Sequence, residues 1–511
     1  MTRSSSRKPT RPGARLLAGL ALLALAATNA GADVVFAPFF RDNAVLQREK
    51  PVPVWGRADP GEKVTVTFQS QTVTATANDM GRWGVALAPM PASSAPAELV
   101  AKGNNTVIVS NVLVGEVWLC SGQSNMAMTV DRTLNAGDEI DAANYPLIRH
   151  FKVPLTSAAT PCDEVGGEWQ VCSPAVAGKF SAAAYYFGRE LFKKLNVPIG
   201  LLNSSWGGTQ IESWMSTPAL VADPSWPEVS KRWTTVARSF PGKAEQYEKD
   251  IAAWTKADNE AKKTGGKNTA RKPSKPDGIG GRTQPGALYN AMIVPFLPAA
   301  IRGAIWYQGE ANVSRHAEYR TLFPSMINQW RANFGQGDFP FYYVQLANFA
   351  PRNGLPFQRE AQECALKLPN TGQAVIIDIG LSNDIHPTNK QEVGRRLALN
   401  ALAGAYNLGG GFSGPVFDGI TKENGALRVK LKHAAGLKTS DPDMPGFAIA
   451  GDNKKFVRAE ARIEGETVIV SAGSVKDPVA VRYAWANDPP APLYNGDNLP
   501  ASPFRSDDWA E

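Results

Sequence analysis

The stretch Leu113-Val-Gly-Glu-Val-Trp-Leu-Cys-Ser-Gly-Gln-Ser-Asn-Met126 opens with eight mostly apolar residues and then breaks into a Ser/Gly turn. A run this short, apolar on both faces, reads as a strand covered on each side. Four more such runs follow, at 198–204, 302–308, 339–347 and 372–380. Helical patterns lie between and after them. Tyr319, Leu322, Phe323, Met326, Ile327 and Trp330 share one helical face, and Val393, Leu397 and Ala401 begin another. This alternation predicts an α/β region over 113–411, with a parallel sheet flanked by helices on both sides. Ligands of such sheets sit at the carboxyl ends of the strands, which is where the polar motifs of this chain fall.

Outward from this centre the pattern changes. Over 33–112 the segments VTVTF and TVTAT alternate with period two between the turn signals ADPGEK, NDMGRW and KGNN, so a small β-sandwich-like domain is expected. Alternation returns over 412–511 in GALRVKLKH, ETVIVSAG and VAVRYAWA, which predicts a second β domain. The stretch 241–284 interrupts the central region. Its amphipathic EQYEKDIAAWTKA and Lys/Gly/Pro-rich GGKNTARKPSKPDGIGG read as a helix followed by a flexible surface insertion.

Residues 1–32 have the layout of a cleavable signal peptide: five basic residues up to Arg15, an apolar run over 16–27, then Ala30-Gly31-Ala32. The apolar run is shorter than the ~20 residues that span a bilayer. A mature chain starting at Asp33, exported to the periplasm or the medium and without an integral membrane segment, is the expectation. The formal charge of +7 belongs largely to this leader, and without its five basic residues the chain stands at +2. That gives no electrostatic case for a nucleic-acid partner. Four cysteines in 511 residues exclude a disulfide scaffold. In an exported protein Cys162 and Cys172, ten apart in a loop-like stretch, are expected to bond. No CxxC, HxxxH or HxH spacing occurs, so no metal site is expected.

Four polar motifs close the apolar runs. In the first, Ser124 follows the Ser/Gly turn at the sheet's carboxyl edge, beside backbone N–H groups able to hold an oxyanion. In the second, Asn203-Ser-Ser-Trp-Gly-Gly-Thr-Gln-Ile-Glu-Ser-Trp214, the Gly207-Gly208 pair lets backbone approach a ligand closely. In the third, Trp306-Tyr-Gln-Gly-Glu-Ala-Asn312, Gln308 or Asn312 could supply an oxyanion donor, and Glu310 could orient a neighbour or serve as scaffolding. The fourth is Asp378-Ile-Gly-Leu-Ser-Asn-Asp-Ile-His-Pro-Thr-Asn-Lys390. A general base for serine needs an imidazole held by a carboxylate, and the chain has four histidines. His433 falls in the second β region, His150 in a strand-like IRHF and His316 on a helix near the third motif. His386 alone lies in a loop after a parallel-sheet run, beside carboxylates. Trp206, Trp214 and Trp306 adjoin the motifs and could stack on a ligand or belong to the core.

CSGQSNM, NSSWGGTQIESW, IWYQGEAN and DIHPTNK resemble the motifs of the sialate O-acetylesterase family within the SGNH hydrolase superfamily. FRDNAVLQREKPVPVWGRADPGE and LYNGDNLPASPFRSDDW extend the resemblance over most of the mature chain. It implies a three-layer α/β domain with flanking N- and C-terminal β domains, hydrolysing acetyl esters on sugars without metal or organic cofactor. It further implies Ser124 as nucleophile and His386 as base. The oxyanion hole would use the Ser124 N–H, one glycine of Gly207-Gly208 and the Gln308/Asn312 amide region. Many SGNH enzymes carry the acid three residues before the histidine, where this chain has Asn383. Asp384, two residues before His386 in a loop entering the next helix, can face the same strand end and is the favoured acid, with Asp378 or a Ser–His dyad as alternatives. The resemblance leaves the sugar open between sialic acid and plant polysaccharides such as xyloglucan or xylan. A longer-chain esterase of the same fold and a non-catalytic carbohydrate-binding protein are the other readings. Oligomeric state is not addressed by these motifs.

Overall fold

The computed structural model describes residues 33–509, so the signal-peptide expectation for 1–32 lies outside the described residues. The architecture is mixed α/β with several sheets. The main sheet contains β1 (Thr106–Gly122), β2 (Ile148–Lys152), β3 (Trp169–Val171), β4 (Ile199–Ser205), β5 (Gly303–Tyr307), β6 (Phe341–Gln345) and β7 (Thr371–Val375). Their order is β3-β2-β4-β1-β5-β6-β7, parallel throughout except where β3 runs against β2. The chain lies on one side of β1 up to β4 and crosses to the other side for β5. The carboxyl end of β1 is thus the switch point at which a crevice opens.

Five helices matter for the site: α1 (Ser124–Ala127), α2 (Ala182–Leu195), α3 (Trp226–Lys263), α4 (His316–Phe334) and α5 (Lys390–Gly404). Alternate residues of the strands serve two separate hydrophobic clusters. Ala304, Trp306, Phe341 and Tyr343 join Tyr319, Leu322, Phe323 and Trp330 of α4. Ile305, Tyr307, Tyr342 and Val344 join Tyr185 and Phe187 of α2 and Val393 and Leu397 of α5. Burial on both faces is what makes these strands unbroken apolar runs rather than alternating ones.

No loop marks the expected boundary near residue 112. β1 is one continuous strand whose first half pairs antiparallel with Ser93–Lys102 and whose second half pairs parallel with β4 and β5. Glu116, fully buried in β1, closes this seam by accepting hydrogen bonds from Arg302 (2.7 Å), Gln47 (3.1 Å) and Arg48. Burial alone would raise its carboxyl pKa, but these donors hold it below the usual range. At the other end, two four-stranded antiparallel sheets built from residues beyond 415 cover the sheet edge. Val375 and Ile377 there share a core with Leu427, Val429, Phe447 and Tyr483.

The stretch 241–284 begins inside α3, which runs through Pro241 to Lys263 and is followed by irregular structure; its solvated face tolerates the lost backbone bond. One sequence expectation is corrected. Cys162 and Cys172 are not bonded, and all four cysteines are free thiols. Cys172 is buried in the cluster of α2, with Sγ 3.5 Å from Ala143 O, whereas Cys162 borders the cluster on the opposite face. Their spacing sets the size of a loop, but the passage through β3 carries the second cysteine to the other side of the sheet.

Candidate active site

β1 ends at Gly122, whose φ of 140° would strain any side chain and whose added Cβ would stand 2.1 Å from Tyr307 O. Glycine there lets Gln123 N donate to Tyr307 O (2.9 Å), while Trp206 N donates to Gly122 O (3.0 Å). The turn is thereby pinned to the ends of β4 and β5, and Ser124 stands half-buried as the first residue of α1. On the far side, α5 packs against α2 at Gly394, where a Cβ would lie 2.5 Å from Tyr186 Cβ. This close approach brings the preceding loop across the sheet end. His386 Nε2 consequently lies 2.9 Å from Ser124 Oγ, hydrogen-bond distance for a hydroxyl and its base.

The carboxylates divide clearly. Asp384 Oδ1 lies 3.5 Å from His386 Nδ1 and also accepts the His386 backbone N–H (2.8 Å), with its side chain 55% exposed. The Asp378 side chain is only 8% exposed and is taken by Arg396, which donates to both its oxygens (2.6 and 2.7 Å), with the Tyr494 hydroxyl at 3.4 Å. Beneath the imidazole, Asn125 Nδ2 donates to Ile385 O (3.0 Å) and to Glu310 Oε1 (2.5 Å). Lys390 Nζ donates to Pro387 O and to Asn125 Oδ1, each at 2.7 Å. Burial pushes the Lys390 pKa down to about 7 against the pull of Glu310, and burial pushes that of Glu310 up.

Of the glycine pair, Gly207 is the one beside the serine: a Cβ on it would lie 3.2 Å from Ser124 Cβ. Gly208 is exposed with φ 71° and supplies the turn. The two amides differ. Gln308 Nε2 uses both hydrogens on protein acceptors, Thr209 O (3.1 Å) and Asn312 Oδ1 (2.8 Å), which leaves none for an oxyanion. Asn312 Nδ2 gives one hydrogen to Glu212 Oε2 (2.8 Å) and retains the other, while its oxygen also accepts Ile211 N (3.0 Å). Trp214 and Trp306 are fully buried, edge to face at 6.1 Å, and do not line a substrate cleft. Glu310 is likewise buried, a strut under Asn125. Trp206 keeps part of its surface exposed. Asn125, Lys390 and Glu212 were given no role from the sequence, although all three stand within the quoted motifs.

The other histidines lie elsewhere. His316 opens α4 and stacks on Phe357 (5.1 Å), and His433 packs against Phe412. His150 is buried on Phe180 (4.5 Å) and accepts the Ser181 N–H (3.3 Å). Burial lowers its pKa to about 3. Between that value and the unfolded value near 6.5, the unfolded chain binds a proton that the native state refuses. Stability is therefore complete above about pH 6.5 and declines as the pH falls through this window. Melting curves at pH 7.5 and pH 5 should show a larger drop for wild type than for His150→Phe; equal drops would contradict this reading.

A hydroxyl held by an imidazole at a strand end, with glycine backbone alongside, suits acyl transfer. A family model described as carbohydrate esterase, sialic acid-specific acetylesterase, matches residues 277–403. The sialate O-acetylesterase of Mus musculus is 33% identical, aligning 95% of this chain with 96% of that protein. The Homo sapiens sialate O-acetylesterase is 32% identical over 96% of each chain. A crystal structure of a carbohydrate acetylesterase from Xanthomonas citri superposes with a TM-score of 0.79 and 37% identity, covering 93% of this chain and all of that one. The class is that of an ester hydrolase. Within it, the chain belongs to the sialate O-acetylesterase family.

Proposed function

We propose that this protein is an exported carbohydrate O-acetylesterase that hydrolyses acetyl esters on sugars through a serine acetyl-enzyme. The observation that carries the proposal is the 2.9 Å contact between Ser124 Oγ and His386 Nε2 at the switch point of the sheet. His386 takes the Ser124 proton as Oγ attacks the acetyl carbonyl, and Asp384 favours the imidazolium that forms. The backbone N–H groups of Ser124 and Gly207 and the remaining Asn312 hydrogen are the donors we assign to the oxyanion. The sugar hydroxyl leaves with the proton from His386, and water repeats the sequence on the acetyl-enzyme. The helices on both sheet faces and the β structure at either end support the three-layer SGNH arrangement with flanking β domains. The basic, apolar and small-residue pattern of residues 1–32 supports export.

The names of the relatives favour sialic acid as the acetylated sugar, and the Xanthomonas citri protein is named more broadly as a carbohydrate acetylesterase. Acetyl release from O-acetylated sialic acid and from acetylated xyloglucan, measured side by side, tests the substrate. Faster release from the sialic acid ester is expected. Release from xyloglucan alone would move the assignment to plant polysaccharide, and release from neither, with no turnover of p-nitrophenyl acetate, would leave a carbohydrate-binding role.

A further inference from the structure

The imidazole of His386 has a solvated carboxylate as its side-chain partner, yet the backbone on both sides of it is held by buried groups. Ile385 O accepts from Asn125 Nδ2 (3.0 Å), and Pro387 O accepts from Lys390 Nζ (2.7 Å). These two donors are themselves joined, Lys390 Nζ to Asn125 Oδ1 (2.7 Å). Asn125 passes the connection to Glu310, so the buried ammonium and the buried carboxylate compensate each other through one amide. Lys390 lies over the Tyr307 ring at 5.1 Å, where a cation is favoured.

We propose that Lys390 and Asn125 are positioning residues that set the His386 imidazole against Ser124 by clamping the backbone on either side of it, with Glu310 anchoring the clamp. This rests on the Ser124–His386 reading given above. Two features favour a positioning role over a merely structural one. A buried ammonium is costly, and well-packed apolar atoms of similar volume generally serve stability at least as well. Asn125 also directly follows the nucleophile in sequence, so the residue that fixes the base's loop moves with Ser124 and keeps the two halves of the pair in register.

The test compares Lys390→Met, Lys390→Arg, Asn125→Asp and the double variant Lys390→Met/Glu310→Gln. The double variant removes both buried charges together and so leaves neither unpaired. Each is assayed on p-nitrophenyl acetate after titration of active serines with a fluorophosphonate. Positioning residues should give a full complement of titratable serines, labelled slowly, with kcat per titrated site down by on the order of 10²-fold and KM within threefold. Lys390→Arg, which keeps a cationic donor, should recover part of the loss. A structural role would give fewer titratable sites, each with wild-type kcat, and that result overturns the proposal, as does wild-type kcat in Lys390→Met and Asn125→Asp. Ser124→Ala run in parallel separates the two levels. If it retains activity the Ser124–His386 reading fails, whereas if it is inactive while the clamp variants are normal, the clamp alone fails.

Discussion

Ser124→Ala should lower esterase kcat on the order of 10⁴–10⁶-fold, with His386→Ala nearly as severe, because nucleophile and base act as a unit. The 2.9 Å separation of Oγ and Nε2 makes the imidazole the group able to take the hydroxyl proton. Without the base the hydroxyl is a weak nucleophile, and without the hydroxyl there is no acyl acceptor. Both side chains are only half-buried at the end of the sheet, so truncation leaves no core cavity and the fold should persist by circular dichroism. Folded Ser124→Ala protein that keeps more than about a tenth of the wild-type kcat would sink the assignment.

The second large effect separates the two aspartates. Asp384 faces His386 Nδ1 at 3.5 Å from a solvated loop, so Asp384→Asn should lower kcat about 10–10²-fold. That is less than the ~10⁴-fold loss seen when a buried triad acid is replaced, because water screens the exposed carboxylate. KM should change little, since the imidazolium develops only in the transition state. Asp378→Asn should do the reverse. Its bidentate pair with Arg396 is shielded from water, and breaking it leaves that cation with Glu392, at 3.5 Å, as its remaining carboxylate partner, a cost of about 2 kcal/mol in stability. Its kcat per folded molecule should stay within twofold. Thermal melts and assays of both variants at neutral pH give the answer. Loss of kcat in Asp378→Asn with a normal Asp384→Asn contradicts the assignment, and full activity in both leaves a dyad held by its backbone.

The strands were the most legible part of the chain because burial on both faces writes an unbroken apolar run. All five such runs overlap β1, β4, β5, β6 and β7, the last of them only to Val375, where the strand ends. β3 is three residues of mixed burial at an antiparallel edge, and nothing in Trp169–Val171 distinguishes it from loop. The continuity of β1 across residue 112 was hidden for a different reason. A change from one-sided to two-sided burial alters the pattern of a strand without interrupting it.

At the site, the motifs pointed to Ser124 and His386 because histidines are few and a strand-end serine is conspicuous, and the fold brings the two together. Residues whose meaning depends on burial were not readable. Lys390 reads from sequence as a solvated charge, yet it is fully buried. Trp214 and Trp306 read equally well as a sugar platform or as core, and only their packing against each other decides. Gln308 and Asn312 are alike as amides, and the acceptors around them set them apart.

The most direct test of the acetyl-enzyme account is peptide mapping after partial inactivation by a fluorophosphonate. One label per molecule is expected, carried by the peptide containing Ser124, with activity lost in proportion to labelling and no label on Ser124→Ala protein. Label on another serine, or full activity after complete labelling of Ser124, would contradict it.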